Sequence, residues 1–381
     1  MERIYVDHAA TTPMHPAVIE KMAMSMADYF GNPSSIHSYG REARKIVDEA
    51  RLGIARSIGA KETELIFTSG GTEADNYAIF GAAEANQANG KHIITTAIEH
   101  HAVLHACQEL ERRGFEVTYL PVDENGRISL SDFQQSLRDD TILVTIMYGN
   151  NEVGAIQPIA EIGEILSEHQ AVFHTDAVQA YGMEKIDVNE LKVDLLSVSA
   201  HKINGPKGIG FLYSKNGIKL ISRTFGGDQE RKRRAGTENV PAIIGFFEAV
   251  KLMEQDREKR RDQYKLYKET LVDTLKAYPI QFTVNGSLET SLPHVLNLSF
   301  PGTNVEALLV NLDLAGIAAS SGSACTAGAV EPSHVLVSMF GKESYKLTNS
   351  IRFSFGVSNT VEQIKKVGEE MAKIVQRLTT K

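Results

Sequence analysis

The chain has 381 residues, 42% of them hydrophobic and 23% charged, and a formal net charge of -8 at pH 7. This length exceeds the size at which one hydrophobic core usually stops growing, so we expect two globular domains. The acidic balance argues against general nucleic-acid binding. We find no segment apolar enough to span a membrane and no signal-peptide core at the N-terminus, which predicts a cytoplasmic protein.

From residue 64 to residue 213, short apolar runs alternate with amphipathic stretches. The amphipathic stretches 102–112 and 159–168 are predicted helices. The apolar runs predict strands at 65–67, 93–94, 117–120, 142–146, 172–173 and 195–198. Strands that alternate with helices indicate an α/β domain, in which helices cover a mostly parallel sheet and ligands bind at the carboxyl ends of the strands.

A long helical pattern over 240–277 is apolar at its start and charged in its middle, so we expect it to bridge two bodies. Beyond it, strands at 295–300 and 351–355 and helices at 305–312 and 361–378 predict a smaller α+β domain. We place the large domain at residues 15–257. Residues 1–14 and 258–381 together would form the small one.

The first candidate site is the turn Ser69-Gly70-Gly71-Thr72, which follows the strand at 65–67. Thr72 could cap the next helix, and Asp75 completes the spacing of a capping box. A strand, a glycine turn and a helix N-terminus together can bind an anion, because backbone N–H groups and the helix dipole converge there. Glycine turns that cap helices without any ligand are commoner, so the turn alone leaves both interpretations open.

Two charged side chains follow predicted strands of the same sheet. One strand ends in His174-Thr175-Asp176, and another ends in Ser199-Ala200-His201-Lys202. Taken alone, Asp176 could be a helix cap and Lys202 a solvated surface lysine. Combined with the turn at Thr72, they are the groups that pyridoxal phosphate needs. The lysine would form a Schiff base, the aspartate would keep the pyridine nitrogen protonated, and the turn would bind the phosphate.

The two cysteines, Cys107 and Cys325, are far apart in sequence, which fits a reducing compartment better than a disulfide framework or a zinc cluster. Cys325 lies in a run of serine, glycine and alanine over 320–328, which favours an accessible loop that carries a reactive thiol. A half-buried structural cysteine is the alternative. Cys107, on a predicted helix, is most simply a buried small residue.

Several motifs characteristic of one protein family occur in order along essentially the whole chain. They are Asp7-His8-Ala9-Ala10-Thr11-Thr12, Gly31-Asn32-Pro33-Ser34-Ser35, Thr68-Ser69-Gly70-Gly71-Thr72-Glu73, Glu99-His100, Asn150-Asn151-Glu152-Val153-Gly154, Asp176-Ala177-Val178-Gln179, Ser199-Ala200-His201-Lys202, Gly236-Thr237-Glu238-Asn239 and the Cys325 loop. In these motifs the chain resembles the NifS/IscS-type cysteine desulfurases. That group belongs to the class V aminotransferase family and has the fold of the type I pyridoxal phosphate enzymes.

The resemblance implies a role for each matching position. Lys202 would hold the cofactor and then move protons on the substrate, Asp176 would pair with the ring nitrogen, and Gln179 would bind the ring hydroxyl. His100 would stack on the ring and move protons between thiols, which suits a near-neutral titration. The remaining cofactor-binding positions would be Gly71, Thr72, Asn151, Ser199 and His201, with Thr237 assigned to the phosphate of the partner subunit. That last assignment implies a homodimer.

Arg352 lies in the middle of a predicted strand, where an unpaired charge would be costly. The resemblance implies that it binds the substrate carboxylate with help from Asn151. A buried ion pair with an aspartate or glutamate is the structural alternative. His101 and His105 have helical spacing, but two histidines without a third ligand favour surface residues over a metal site.

The activity implied by the resemblance converts L-cysteine to L-alanine and leaves the sulfur on Cys325 as a persulfide. Acceptors would be iron-sulfur scaffold proteins or tRNA thiolation enzymes. The basic run Arg231-Lys232-Arg233-Arg234 could dock an acidic partner or tRNA, or be a solvated loop. Two other functions stay open: a different pyridoxal phosphate enzyme, such as a β-lyase or selenocysteine lyase, and a non-catalytic module that binds a nucleotide.

Overall fold

The computed structural model of the protein describes residues 3–321 and 332–380. The strands are β1 (Ile4–Tyr5), β2 (Leu65–Thr68), β3 (His92–Thr96), β4 (Glu116–Leu120), β5 (Thr141–Thr145), β6 (Val172–Asp176), β7 (Leu195–Ser199), β8 (Gly210–Ser214), β9 (Thr283–Asn285), β10 (Val295–Ser299), β11 (Ile317–Ala318) and β12 (Ser350–Ser354). The helices are α1 (Pro16–Asp28), α2 (Ser38–Arg56), α3 (Gly71–Asn86), α4 (His101–Arg112), α5 (Leu130–Ser136), α6 (Ile159–Leu166), α7 (Gln229–Lys232), α8 (Val240–Lys276), α9 (Val305–Leu314), α10 (His334–Phe340) and α11 (Val361–Thr379).

A seven-stranded sheet in the order β2-β8-β7-β6-β5-β3-β4 forms the centre of the molecule. All its pairings are parallel except those of β8, which runs antiparallel to β2 and β7. Every residue of β2, β3, β5, β6, β7 and β8 is buried, because helices cover both faces. The predicted α/β fold with a mixed, mostly parallel sheet is confirmed.

The rest of the chain forms smaller sheets. β10 pairs antiparallel with β12 and β9, and β1 pairs parallel with β11, so the N-terminus joins the C-terminal part of the chain. α8 is one continuous helix of 37 residues that packs on α1, α2 and α11. It therefore packs on helices from both the N-terminal and the C-terminal parts of the chain, and it runs without a break across the boundary expected at residue 257.

The start of α3 differs from its sequence prediction. Its N-cap is Gly70, with φ 151° and no side-chain hydrogen bond to the helix end, so Thr72 lies inside the first turn. The predicted Thr72 cap and its capping box with Asp75 are wrong, because the glycine turn brings the chain into the helix two residues earlier. Among the helices of residues 3–321 and 332–380, none is both long and apolar enough to cross a membrane.

Candidate active site

A cavity of about 300 Å³ lies at the edge of the large sheet where β2, β6 and β7 end. It collects side chains from distant parts of the sequence. Its lining includes ten of the predicted site residues: Gly71, Thr72, His100, Asn151, Asp176, Gln179, Ser199, His201, Lys202 and Arg352. The parallel strands bring nine of these residues together, because their carboxyl ends meet at one edge. Arg352 comes from β12 of a smaller sheet.

The α3 end of the cavity has the features of a phosphate site. No side chain of the described residues caps the helix, so its first backbone N–H groups are available to an anion. A Cβ atom added at Gly71 would lie 2.7 Å from Val178 Cγ2, so this position has room only for glycine. Ser199 and His201 line the same cavity. These residues fit the phosphate of pyridoxal phosphate.

Asp176 and Gln179 lie at the end of β6, where a pyridine ring would need them. Asp176 is 6% exposed, and its Oδ1 accepts a hydrogen bond of 2.9 Å from the Val178 N–H. Burial raises the pKa of Asp176 above its usual value, so a cation such as a protonated ring nitrogen would stabilise its ionised form. Gln179 is held by a bond of 3.0 Å from its Nε2 to the Ala9 carbonyl. This pair fits the ring nitrogen and the ring hydroxyl.

Lys202 follows β7 on a short 3-10 turn and is held by the N-terminal segment 7–12. Its Nζ donates to the carbonyl oxygens of Ala9 and Ala10, the latter at 2.9 Å. His201 Nδ1 lies 3.1 Å from Thr11 Oγ1. The motif at 7–12 thus has a structural role, since it positions the amine that would hold the cofactor.

His100 is the N-cap of α4, and its Nδ1 accepts a hydrogen bond of 3.1 Å from the Ala102 N–H. Burial, followed by the positive charge of Lys202, lowers the pKa of His100 to about 4. The near-neutral titration predicted from the sequence is therefore wrong, and the imidazole is neutral at pH 7. Because Nδ1 accepts a bond, Nε2 carries the proton and is a hydrogen-bond donor.

Arg352 is 4% exposed, and its guanidinium group is already paired. Its Nη2 lies 2.7 Å from Asp7 Oδ1, and its Nη1 donates to the Asn151 carbonyl at 2.9 Å. Within the described residues, its Nε has no hydrogen-bond partner. Both of the roles weighed from the sequence thus remain: the ion pair is present, and the side chain also lines the cavity.

Two predicted site residues are not among those that line this cavity. Cys325 lies outside the described residues. The chain approaches its loop through Ser320, which pairs with Arg352 across two backbone hydrogen bonds, and leaves it before His334, whose ring borders the cavity. Thr237 lines a separate cleft beside Gly236 and Glu238.

The other sequence candidates fall into place around this site. Cys107 is buried in α4, as predicted, and burial raises its pKa. The ring of His101 lies 5.2 Å from that of His105 and 4.8 Å from that of His334. Even so, no group of three or more potential ligands is arranged for a metal ion in the part of the chain that the structure describes. In the basic run, Arg234 is paired with Glu73 at 2.8 Å.

Sequence reasoning missed several residues of the cavity, among them Asp75, Met147, Glu152 and His334. Asp75 was considered only as part of a cap. Its signal was its spacing in α3, four residues after Gly71, which turns it toward the sheet. His334 gave no signal, because only the tertiary fold brings α10 beside α4.

Comparison with known proteins adds independent findings. The sequence profile of the family "Aminotransferase class-V" matches residues 4–367. A Bacillus subtilis protein called "Putative cysteine desulfurase IscS 1" is 63% identical over 379 residues, which cover 100% of both chains. A solved structure titled "NIFS-LIKE PROTEIN" superposes with a TM-score of 0.92 at 34% identity, covering 99% of this chain and 100% of the other. Another, titled "SspA in complex with cysteine", gives a TM-score of 0.81 at 35% identity, covering 93% and 99%.

Proposed function

The chain belongs to the class V aminotransferase family, and we propose that it is a pyridoxal phosphate-dependent cysteine desulfurase acting on L-cysteine. The observation that carries the proposal is the convergence of Lys202, Asp176 and the uncapped end of α3 on one cavity, which Arg352 also lines. The relative that is 63% identical bears the name of this activity. The solved relative with bound cysteine supports the same substrate.

The cofactor supplies an electron sink for the Cα atom of an amino acid. Gly71, Thr72, Ser199 and His201 would bind its phosphate, and Asp176 and Gln179 would hold its ring, while Asn151 lies beside them. Lys202 would hold the cofactor and then take the Cα proton of the substrate, since its amine lies on the same cavity. Arg352 would bind the substrate carboxylate through charge-assisted hydrogen bonds.

The sulfur step would use Cys325. Its thiolate would attack the substrate sulfur, so that an S–S bond forms while the Cβ–S bond breaks. The proton that Cys325 loses is balanced by the one that Cβ gains, and the products are L-alanine and a Cys325 persulfide. A thiol with a pKa of about 8.5 is only a few per cent ionised at pH 7, so the thiolate needs stabilisation. The Nε2–H of His100 is a donor suited to that role.

Partners and location follow from the same proposal. The persulfide would be delivered to iron-sulfur scaffold proteins or tRNA thiolation enzymes in the cytoplasm. A homodimer would let Thr237 reach the phosphate of the partner subunit, which agrees with its position in a cleft apart from the candidate active site of its own subunit.

Residues 15–257 would form the large domain, and residues 1–14 with 258–381 the small domain that carries Cys325.

Two variants test this proposal. Lys202→Ala should abolish the visible, borohydride-sensitive absorbance of bound pyridoxal phosphate, and a variant that keeps it would refute the cofactor assignment. Cys325→Ser should keep that absorbance and lose the production of alanine and sulfide from L-cysteine. Full turnover by Cys325→Ser would instead indicate a lyase that needs no protein thiol.

A further inference from the structure

Three buried carboxyl groups interact electrostatically at this cavity: Asp75 and Asp176, which line it, and Glu99. Asp75 and Glu99 are each 1% exposed, and Asp176 is 6% exposed. Asp176 has a proposed role, because it would pair with the ring nitrogen of the cofactor. The activity proposed above assigns no role to Asp75, although Asp75 lines the same cavity.

Asp75 lies on α3 and faces the carboxyl ends of β6 and β7, where it meets a neutral network. Its Oδ1 lies 3.7 Å from His174 Nε2 and has no hydrogen-bond partner among the described residues. His174 Nδ1 lies 2.8 Å from Thr145 Oγ1, and its Nε2 lies 3.0 Å from Ser197 Oγ. Burial lowers the pKa of His174 to about 3, so this imidazole carries no charge at pH 7.

The charged groups around Asp75 are therefore acids. Burial raises the pKa of Asp75, and so do the neighbouring acids Asp176, at the end of β6, and Glu99, in the turn before α4. Glu99 accepts hydrogen bonds from Thr96 Oγ1 and the Met147 N–H, but burial still raises its pKa to about 8. A buried carboxylate without a cation costs several kcal/mol, so such a group keeps its proton.

Asp75 and Asp176 differ in what stabilises their ionised forms. Asp176 accepts the N–H of Val178 at 2.9 Å and feels the positive charge of Lys202. Among the described residues, only a side-chain hydrogen bond with Ser197 lowers the pKa of Asp75. Two neighbouring buried carboxyl groups do not both ionise readily, so the proton belongs on Asp75 and the negative charge on Asp176.

We propose that Asp75 is a protonated positioning residue, which confines the negative charge of this buried acid cluster to Asp176, the residue that would pair with the ring nitrogen of the cofactor. This rests on the role proposed for Asp176. The residue would act by staying neutral: an ionised Asp75 would compete with Asp176 for the positive charge of the ring.

The test starts with Asp75→Asn, which replaces a protonated acid by a neutral side chain of the same shape. The infrared difference spectrum between the wild-type apoprotein and this variant at pH 8 should contain the C=O band of a protonated carboxyl group. Carboxylate bands in its place would overturn the proposal. This measurement uses neither cofactor nor Cys325. The proposal for Asp75 can therefore fail while the desulfurase assignment stands, and the desulfurase assignment can fail while the proposal for Asp75 stands.

The stability of the apoprotein gives a second measurement. A carboxyl group whose pKa is raised by folding stabilises the protein below its unfolded pKa and loses that contribution as pH rises toward its folded pKa. The Tm of Asp75→Asn relative to wild type should therefore increase from pH 5 to pH 8. Asp187→Asn is the matched control: the pKa of Asp187 is lowered in the fold, so its relative Tm should decrease over the same range if it changes at all.

Cofactor binding closes the test. Asp75→Asn should bind pyridoxal phosphate within about threefold of wild type, because one neutral group replaces another. Asp176→Asn should bind about 10–100-fold more weakly, since it loses a charged hydrogen bond. Equal losses in the two variants would overturn the proposal. If Asp75→Asn does not fold, Asp75→Ser, which keeps a hydroxyl donor, serves all three measurements.

Discussion

Arg352 Nη2 lies 2.7 Å from Asp7 Oδ1, and this ion pair ties the N-terminal segment to the middle of β12. The side chain of Asp7 is 18% exposed and that of Arg352 is 4% exposed, so little water screens the pair. A substrate carboxylate would have to bind a guanidinium group whose charge Asp7 already compensates. The pair therefore links substrate affinity to the stability of the fold.

Asp7→Asn should change these two properties in opposite directions. The variant leaves the charge of Arg352 uncompensated, so a substrate carboxylate should bind more tightly, and the KM for L-cysteine should fall by about tenfold. The same change should destabilise the apoprotein by about 1–3 kcal/mol and lower its Tm, because it weakens a charged hydrogen bond. Steady-state kinetics and thermal unfolding measure the two effects.

Asp140→Asn is a suitable control, because it weakens an exposed ion pair in which Arg138 Nε lies 2.8 Å from Asp140 Oδ1. Both residues precede β5, so they lie at the edge of the sheet opposite the cavity. It should leave KM unchanged. Arg352→Ala should lower kcat/KM about 10–100-fold. A rise of KM in Asp7→Asn would mean that Asp7 orients the guanidinium group for the substrate and does not compete with it.

The pH profile of activity tests the state of His100. Since its pKa is lowered to about 4, His100 stays neutral from pH 5.5 to pH 8 and should contribute no ionisation there. The ratio of kcat between wild type and His100→Gln should be constant over this range. An ionisation near pH 6.5 that is present in wild type and absent from the variant would contradict the neutral assignment.

The nature of the replacement tests what His100 does. Gln carries an amide N–H that can replace the donor at Nε2, whereas alanine carries none. His100→Gln should therefore retain more activity than His100→Ala, in which we expect kcat to fall about 10²–10⁴-fold. Ala102→Gly, in the same helix turn, controls for weakening of the helix end. Equal losses in the Gln and Ala variants would argue against a donor.

The two cysteines should behave differently toward alkylating reagents. Cys107 is 0% exposed, and burial raises its pKa, so it should stay unmodified in the native protein. Cys107→Ser should retain kcat within about twofold, since a small buried residue replaces another. Peptide mass spectrometry after brief alkylation measures the first effect. Labelling of Cys107, or a loss of turnover in Cys107→Ser equal to that in Cys325→Ser, would show that Cys107 is a reactive thiol.

Much of the fold could be predicted because its signals are local. The apolar runs at 65–67 and 195–198 predicted β2 and β7 within one residue at each end, and the glycine turn predicted where α3 begins to within a residue or two. The strand β8 was missed, because its apolar residues follow a glycine-rich turn and its antiparallel pairing depends on partners far away in sequence.

The site was predictable where a motif carried it and not where tertiary packing did. Lys202 and Asp176 follow strands directly, so their place at the sheet edge follows from the topology. The lowered pKa of His100 depends on burial beneath other elements, which no local pattern reveals. The pairing of Arg352 with Asp7 joins residues 345 positions apart, and the sequence left a substrate and an ion-pair partner as alternatives.

In the proposed reaction, sulfur passes from L-cysteine to Cys325. The most direct measurement incubates the cofactor-loaded protein with L-cysteine, without reductant, and locates added sulfur by intact and peptide mass spectrometry while alanine is quantified. We expect one added sulfur atom on Cys325, alanine in equal amount, and neither product in Cys325→Ser. Alanine formed by wild type and by Cys325→Ser alike, with no sulfur added to Cys325, would contradict it.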